Sequence, residues 1–224
     1  MQTSFMKIPV LAGKKVSAVL TIPDDYAGDT GIIMAHGAGN DMYHPMLTFL
    51  ADGLAEAGYL TLRFNFLYRE QSKRSSDSYD ILCAAWESAY RFLQADSEYR
   101  PRHIIAAGKS LGGRIASMMA AEGRLPVEKL IFLGYPLHAP GKKDKPRDAH
   151  LYQIRIPMLF FAGTRDQLCD LDLLQAVLAR LAAPWDLRII EGGDHSFNVP
   201  KSYGTEPTAI YRQVLGEMTA WLGK

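Results

Sequence analysis

The feature that most constrains this chain is a junction of three pieces. Ile104-Ile105-Ala106-Ala107 is a short apolar run, and residues 114–120 read as a helix. Gly108-Lys109-Ser110-Leu111-Gly112-Gly113 joins the two. The pattern predicts a buried strand, a tight turn and a helix. Its glycines answer a steric need, because strand and helix approach closely and the turn between them is strained.

The rest of the chain repeats this alternation. Besides 103–107, strands are predicted over 31–35, 59–64, 129–133, 158–162 and 187–190, and a partial one over 15–22 that ends at Pro23. Helices are predicted over 46–57, closed by Gly58, then 79–94, from the junction through 121, 171–181 and 207–222. Strands alternating with helices imply βαβ units, a mostly parallel sheet and helices on both faces. The apolar central strands fit a sheet covered on both sides. No repeat or linker interrupts the pattern, and 224 residues read as one domain over 1–224. Two polar stretches, 68–78 and 140–147 (with Lys142, Lys143 and Lys145), read as solvated rim.

Composition narrows the partners. Lys and Arg number 25 against 24 Asp and Glu, a formal net charge of +1. That balance argues against nucleic acid or an acidic membrane as the main partner. The two cysteines, Cys83 in a helical pattern and Cys169 in a loop, give no disulfide framework. The first residues lack the basic segment and long apolar run of a signal peptide. No stretch reaches the ~20 apolar residues of a membrane span. The expected setting is cytoplasmic and reducing.

Ser110 carries the chemistry of the junction. Gly108-Lys109-Ser110-Leu111-Gly112 has the form Gly-x-Ser-x-Gly, which presents a nucleophilic serine on a strand-to-helix turn. The hydroxyl then sits at a helix N-terminus, where backbone N–H groups and the helix dipole favour a developing negative charge. Taken alone, the pentapeptide is equally a glycine-rich turn with a surface serine. Gly-Lys-Ser also looks like the end of a Walker A loop, but that loop needs a glycine five positions before the Gly-Lys pair. Position 103 is His, and an apolar strand lies between.

A serine hydroxyl needs a general base, and histidine, with an ordinary pKa of about 6.5, suits the task. The base in turn needs a carboxylate to fix its tautomer. Three histidines follow Ser110: His138, His150 and His195. His138 comes before any suitable acid, and His150 lies in a charged segment where surface solvation is expected. His195, in Glu191-Gly192-Gly193-Asp194-His195-Ser196-Phe197, follows the strand over 187–190 and is the candidate base. Asp166 follows the strand over 158–162 and is the candidate acid. Asp170 is the alternative, although it stands where an N-cap for the next helix would be. Asp194 adjoins His195, so its side chain should diverge and serve the surface.

An acyl-transfer site also needs donors for an oxyanion. One is expected from the backbone N–H of Leu111, the other from the loop after an early strand. Here that loop is His36-Gly37-Ala38-Gly39-Asn40-Asp41, with Ala38 as the donor and Gly37 or Gly39 as alternatives. His36 reads as a brace for the loop. Met42, Tyr43, His44, Asn65 and Phe66 are candidate pocket residues, with core or loop packing as the equal alternative.

Together these motifs carry a resemblance. His36-Gly37-Ala38-Gly39, Arg63-Phe64-Asn65-Phe66, Gly108-Lys109-Ser110-Leu111-Gly112-Gly113-Arg114 and Asp194-His195-Ser196-Phe197 resemble the α/β-hydrolase superfamily, across nearly the whole chain. Within it they are similar to the small dienelactone-hydrolase-like branch and the subgroup of testis-expressed protein 30. The resemblance implies an α/β-hydrolase fold with up to eight strands, residues 5–10 being the strand not otherwise evident. It also implies the triad Ser110, Asp166, His195, with no metal or organic cofactor. Dienelactone hydrolases proper use a cysteine nucleophile where this chain has Ser110, so their lactone substrate does not carry over. Residues 135–157 lie where the superfamily often inserts a lid, and here that segment is short and partly charged. A small soluble ester or thioester is therefore the expected substrate, hydrolysed through an acyl-enzyme. The same fold also serves as a non-catalytic interaction scaffold, which is the rival reading.

Overall fold

A computed structural model describes residues 1–11, 13–73, 75–204 and 206–223. Position 74, inside the polar stretch expected over 68–78, lies outside the described residues. Eight strands form one sheet: β1 (Gln2–Leu11), β2 (Lys14–Ile22), β3 (Thr30–Ala35), β4 (Leu60–Phe64), β5 (His103–Lys109), β6 (Lys129–Leu133), β7 (Met158–Gly163) and β8 (Trp185–Ile190). Their order across the sheet is β1-β2-β4-β3-β5-β6-β7-β8. β1 and β2 pair antiparallel, as do β2 and β4, and every later pairing is parallel.

The helices are α1 (Pro45–Glu56), the single turn α2 (Leu67–Glu70), α3 (Tyr79–Arg91), α4 (Leu111–Ala121), α5 (Leu171–Leu178) and α6 (Pro207–Leu222). Alternate residues of each central strand feed two separate cores. Ile32, Ile105, Ile131, Leu159 and Phe161 pack with α1 and α6. Ile33, Ile104, Ala106, Phe132 and Phe160 pack with α3, α4 and α5. A parallel sheet covered on both faces needs apolar residues in both phases, which is why these strands read as unbroken hydrophobic runs.

Three differences from the sequence reading have local causes. β1 is an edge strand with an irregularity between Pro9 and Leu11, and most of its side chains face solvent. Pro and open positions of this kind are tolerated on an edge. α5 stops at Leu178, three residues before the expected end. The stretch after Phe66 is not all rim: Tyr68 in α2 is fully buried.

Residues 135–157, where a lid was expected to be short, contain one 3-10 turn (Leu151–Gln153). Leu137, Leu151 and Ile154 from this segment belong to the core, while positions 141–145 are exposed. Among the described residues no helix is long and apolar enough to cross a membrane.

β3 sends its chain to β4 on one side, while β5 lies on the other, so the order reverses between β3 and β5. In open α/β sheets a crevice forms there, beyond the carboxyl ends of the strands. The loop after β3 and the turn after β5 meet at that place.

Candidate active site

Ser110 directly follows β5 and holds the N-cap position of α4. Its backbone has φ +49° and ψ −112°, a conformation that strains any residue with a Cβ. Surrounding bonds hold it: the Ser110 N–H donates to the Leu133 carbonyl at 3.2 Å, and the Ser110 carbonyl accepts the Arg114 N–H at 3.0 Å. The flanking glycines are steric necessities. A Cβ on Gly108 would lie 2.1 Å from the Gly113 nitrogen.

His195 stands on the turn after β8. Asp194 organises that turn, its Oδ1 accepting the N–H groups of Ser196 at 2.7 Å and Asn198 at 2.9 Å. Burial works to raise the Asp194 carboxyl, but these hydrogen bonds outweigh it and hold it below the usual range. Far from facing idly to the surface, Asp194 therefore shapes the turn that carries the candidate base. Phe197, at φ +63°, anchors the same turn in the core shared by α1 and α6.

Three side chains then meet in a row. His195 Nε2 is 2.7 Å from Ser110 Oγ, and His195 Nδ1 is 2.8 Å from Asp166 Oδ2. The Asp166 side chain has no solvent exposure, and its Oδ1 accepts the Leu168 N–H at 2.8 Å. An ionised carboxylate only accepts, so Nδ1 carries the imidazole proton and Nε2 is left to accept from the serine hydroxyl.

The rival acid lies elsewhere. Asp170 Oδ1 caps α5 by accepting the Leu173 N–H at 3.0 Å, and the other oxygen pairs with Lys143. The Lys143 bond, then that of Leu173, holds its carboxyl below the usual range. His138 braces the same loop, its Nε2 accepting the Asp170 N–H at 3.0 Å.

The loop after β3 passes directly beside the turn that carries Ser110. A Cβ on Gly37 would lie 3.3 Å from Ser110 Cβ and 3.4 Å from Lys109 Cγ, so any other residue would need its neighbours to give by a few tenths of an ångström. His36 supports the loop from below: Nδ1 donates to the Gly37 carbonyl at 2.8 Å and Nε2 accepts the Phe66 N–H at 3.1 Å. Burial pushes its pKa down to about 4, which keeps this brace neutral. The N–H groups of Leu111 and Ala38 make no hydrogen bond among the described residues.

Most of the candidate pocket residues turn out to be fastenings. Met42 is held at both ends: its N–H donates to Asn65 Oδ1 at 2.8 Å, and its carbonyl accepts from Arg63 at 3.0 Å. Asn65 also donates to Glu70 at 2.9 Å. The Phe66 ring is fully buried, 5.0 Å from the His36 ring. His44 is half-buried just before α1, and Tyr43 is exposed.

The cleft beside His195 is lined by other residues. It has a volume of about 460 Å³, and Pro140, Arg165, Gln167, Leu168, Asp194, His195 and Ser196 line it. A neighbouring hollow of about 530 Å³ shares Pro140, Arg165 and Gln167 and reaches His138 and Asp170. Arg165 and Gln167 flank the candidate acid in sequence, and that adjacency was the available signal. Among the described residues no group of three or more His, Cys, Asp or Glu is arranged to hold a metal ion.

His150 corrects the sequence reading. It is half-buried against α4, with Nε2 2.9 Å from Ser117 Oγ and 3.0 Å from Tyr135 Oη. Ser117 donates its proton to the Arg114 carbonyl at 2.8 Å, and Tyr135 donates to the Arg147 carbonyl at 2.9 Å. Each hydroxyl has one proton, so His150 Nε2 is the donor to both oxygens. Burial, reinforced by the nearby Arg114 charge, pushes its pKa down to about 4.

A largely parallel sheet, a strained serine at a strand–helix turn and a histidine delivered from a later loop define a class of protein. The chain belongs to the alpha/beta hydrolase domain family, whose model matches residues 28–223. Two Mycobacterium tuberculosis proteins, from strains CDC 1551 / Oshkosh and H37Rv, are 28% identical to it over 199 residues. Both are provisionally named phosphoribosyl transferases. The match covers 87% of this chain but 42% of each relative, so the chain spans less than half their length. Among solved structures, the dienelactone hydrolase of Anabaena variabilis superposes with TM-score 0.74 at 22% identity, over 96% of this chain and 95% of that one. Esterase 2 of Thermogutta terrifontis, solved phosphoramylated by tabun, gives TM-score 0.77 at 16% identity, over 98% and 93%. At such identities the likeness is one of fold.

Proposed function

We propose that this protein is a serine hydrolase that cleaves a small soluble carboxylic ester or thioester through an acyl-enzyme on Ser110. The observation that carries the reading is the continuous row Ser110 Oγ, His195, Asp166, with contacts of 2.7 and 2.8 Å. His195 Nε2 takes the hydroxyl proton as Ser110 attacks the carbonyl carbon. Asp166 keeps Nδ1–H in place and stabilises the imidazolium. The N–H groups of Leu111 and Ala38 receive the tetrahedral oxyanion, each worth about 3 kcal/mol by serine-protease precedent. His195 then protonates the leaving alcohol or thiol, the acyl-enzyme remains on Ser110, and water activated by the same imidazole releases the acid. The residues complete this cycle without a metal or organic cofactor.

The open cleft beside His195 and the absence of a large apolar insertion in 135–157 favour a small substrate over a lipid aggregate. The test compares p-nitrophenyl esters of increasing chain length and acyl thioesters on the wild type and on Ser110→Ala. A fluorophosphonate label serves as a second readout, apt because the Thermogutta esterase of the same fold is captured with an organophosphorus adduct. Turnover and labelling that vanish together in Ser110→Ala are expected. Full activity in that variant rejects Ser110 as the nucleophile, and a folded wild type that neither turns over nor takes the label rejects the proposal in favour of a scaffold.

A further inference from the structure

Lys109 is the residue of the Gly-Lys-Ser junction to which the reaction above gives no task. Alternation along β5 puts it in phase with Ile105 and Ala107, on the α1 and α6 side of the sheet. It is only 2% exposed. A buried ammonium is an unfavourable occupant of a space an aliphatic side chain would fill, unless it is paired. Among the described residues no carboxylate lies within ion-pairing distance. Its Nζ donates instead to the main-chain carbonyl of His195 at 2.5 Å, with the Phe197 ring centroid 5.8 Å away. Gly134 closes the other side: a Cβ there would lie 2.9 Å from the same carbonyl oxygen and 3.4 Å from Nζ. Lys109 is also bonded directly to Ser110, so one residue ties the backbone of the nucleophile to that of the base.

We infer that Lys109 is a positioning residue for His195, its ammonium clamping the His195 carbonyl and so setting where the imidazole stands between Asp166 and Ser110. The clamp bears on catalysis only if Ser110 and His195 are the nucleophile and base proposed above. It is a charge-assisted hydrogen bond, at full strength only while the amine is protonated. Burial lowers the Lys109 pKa to about 8, against the opposing fields of Asp166 and Asp194. The other titratable groups facing it are His195 on the base turn and His44 before α1, whose own pKa is lowered by burial and then by the Lys109 charge. Below about pH 8 the clamp is charged and holds; above it the clamp weakens and turnover falls.

The test follows kcat and KM of wild type and Lys109→Met on p-nitrophenyl acetate across pH about 6 to 10, with the His195 Cε1 resonance recorded on the same samples. At neutral pH the variant is expected to lose about 10- to 100-fold in kcat with KM nearly unchanged, as for a slightly misplaced base. The wild type should show an alkaline limb, and an inflection of the His195 resonance, near pH 8; both should be missing in the variant. A folded variant with wild-type kcat overturns the inference. If Lys109→Met fails to fold, the wild-type resonance decides, and the lack of a second inflection near pH 8, besides that of the imidazole itself, overturns it as well. The resonance needs no turnover, so an inactive wild type rejects the hydrolase reading while the clamp is still judged.

Discussion

Two serine–histidine pairs lie along α4, and they do opposite things. Ser110 at its N-terminus is 2.7 Å from His195 Nε2, and Ser117, two turns later, is 2.9 Å from His150 Nε2. Distance does not separate them; proton direction does. His195 keeps its proton on Nδ1 and donates that N–H to Asp166, so Nε2 accepts. Among the described residues His150 has no carboxylate partner on Nδ1, and both hydroxyls near its Nε2 spend their protons on carbonyls, so Nε2 donates. Backbone sharpens the contrast. Ser110 is held at φ +49° beside amides that make no hydrogen bond among the described residues, whereas Ser117 is an ordinary, fully buried helical residue. A serine beside a histidine is therefore not a nucleophile until a carboxylate, a strained turn and free donors join it.

The sharpest way to break this contrast is to remove each serine. Ser110→Ala should lower kcat roughly a million-fold, by the precedent of a serine protease whose nucleophile is deleted. Initial rates on a p-nitrophenyl ester decide it, and activity within tenfold of wild type would erase the distinction between the pairs. Asp166→Asn comes next. An amide presents an N–H toward Nδ1 and favours the tautomer that His150 already has, so kcat should fall roughly 10⁴-fold with the fold intact. Circular dichroism and steady-state kinetics on that variant separate loss of tautomer from loss of structure.

The difference between the two pairs was only partly legible in the sequence. The Ser110 turn, the chain order Ser110, Asp166, His195 and the glycine loop after β3 each leave a local pattern, because tight turns at strand ends admit few residue types. The central strands were legible for a related reason: apolar residues in both phases are what a doubly covered sheet requires. β1 was not, because an edge strand with Phe5 outward and Lys7 and Pro9 along it lacks a clean alternation. His150 was hidden by the charged residues around it, since burial there is imposed by α4 and Tyr135, elements distant in sequence. The fastening of Met42 by Arg63 and Asn65 was equally invisible, because its bonds cross from one loop to another strand.

Acid tests the donor histidine in another way. His150 and His36 have pKa values pushed down to about 4 in the folded chain, from 6.5. Between those values the unfolded chain binds the extra protons, so stability falls as pH drops through 6.5 and levels off near 4. His150→Gln keeps a donor for Ser117 and Tyr135 but cannot titrate, so its melting temperature should fall less over that window. With allowance for partial exposure the saving is about 1 kcal/mol, or about 2–4 °C for a chain of this size. Thermal melts at pH 7 and pH 4 measure it, and parallel curves for the two proteins would show that His150 is not the neutral donor described above.

The smallest effect belongs to Ser117→Ala. The substitution deletes a hydroxyl that donates to the Arg114 carbonyl and accepts from His150, which forfeits about 1 kcal/mol of hydrogen bonding. Alanine returns a few tenths as the better helix former, and His150 keeps the Tyr135 oxygen as a partner, so no buried donor is orphaned. The net loss should be below about 1 kcal/mol in urea denaturation, with kcat within about twofold of wild type. A large fall in kcat would mean that the second pair communicates with the first along α4. An unchanged kcat would mean that the chemistry ends where the strained turn does, at Ser110.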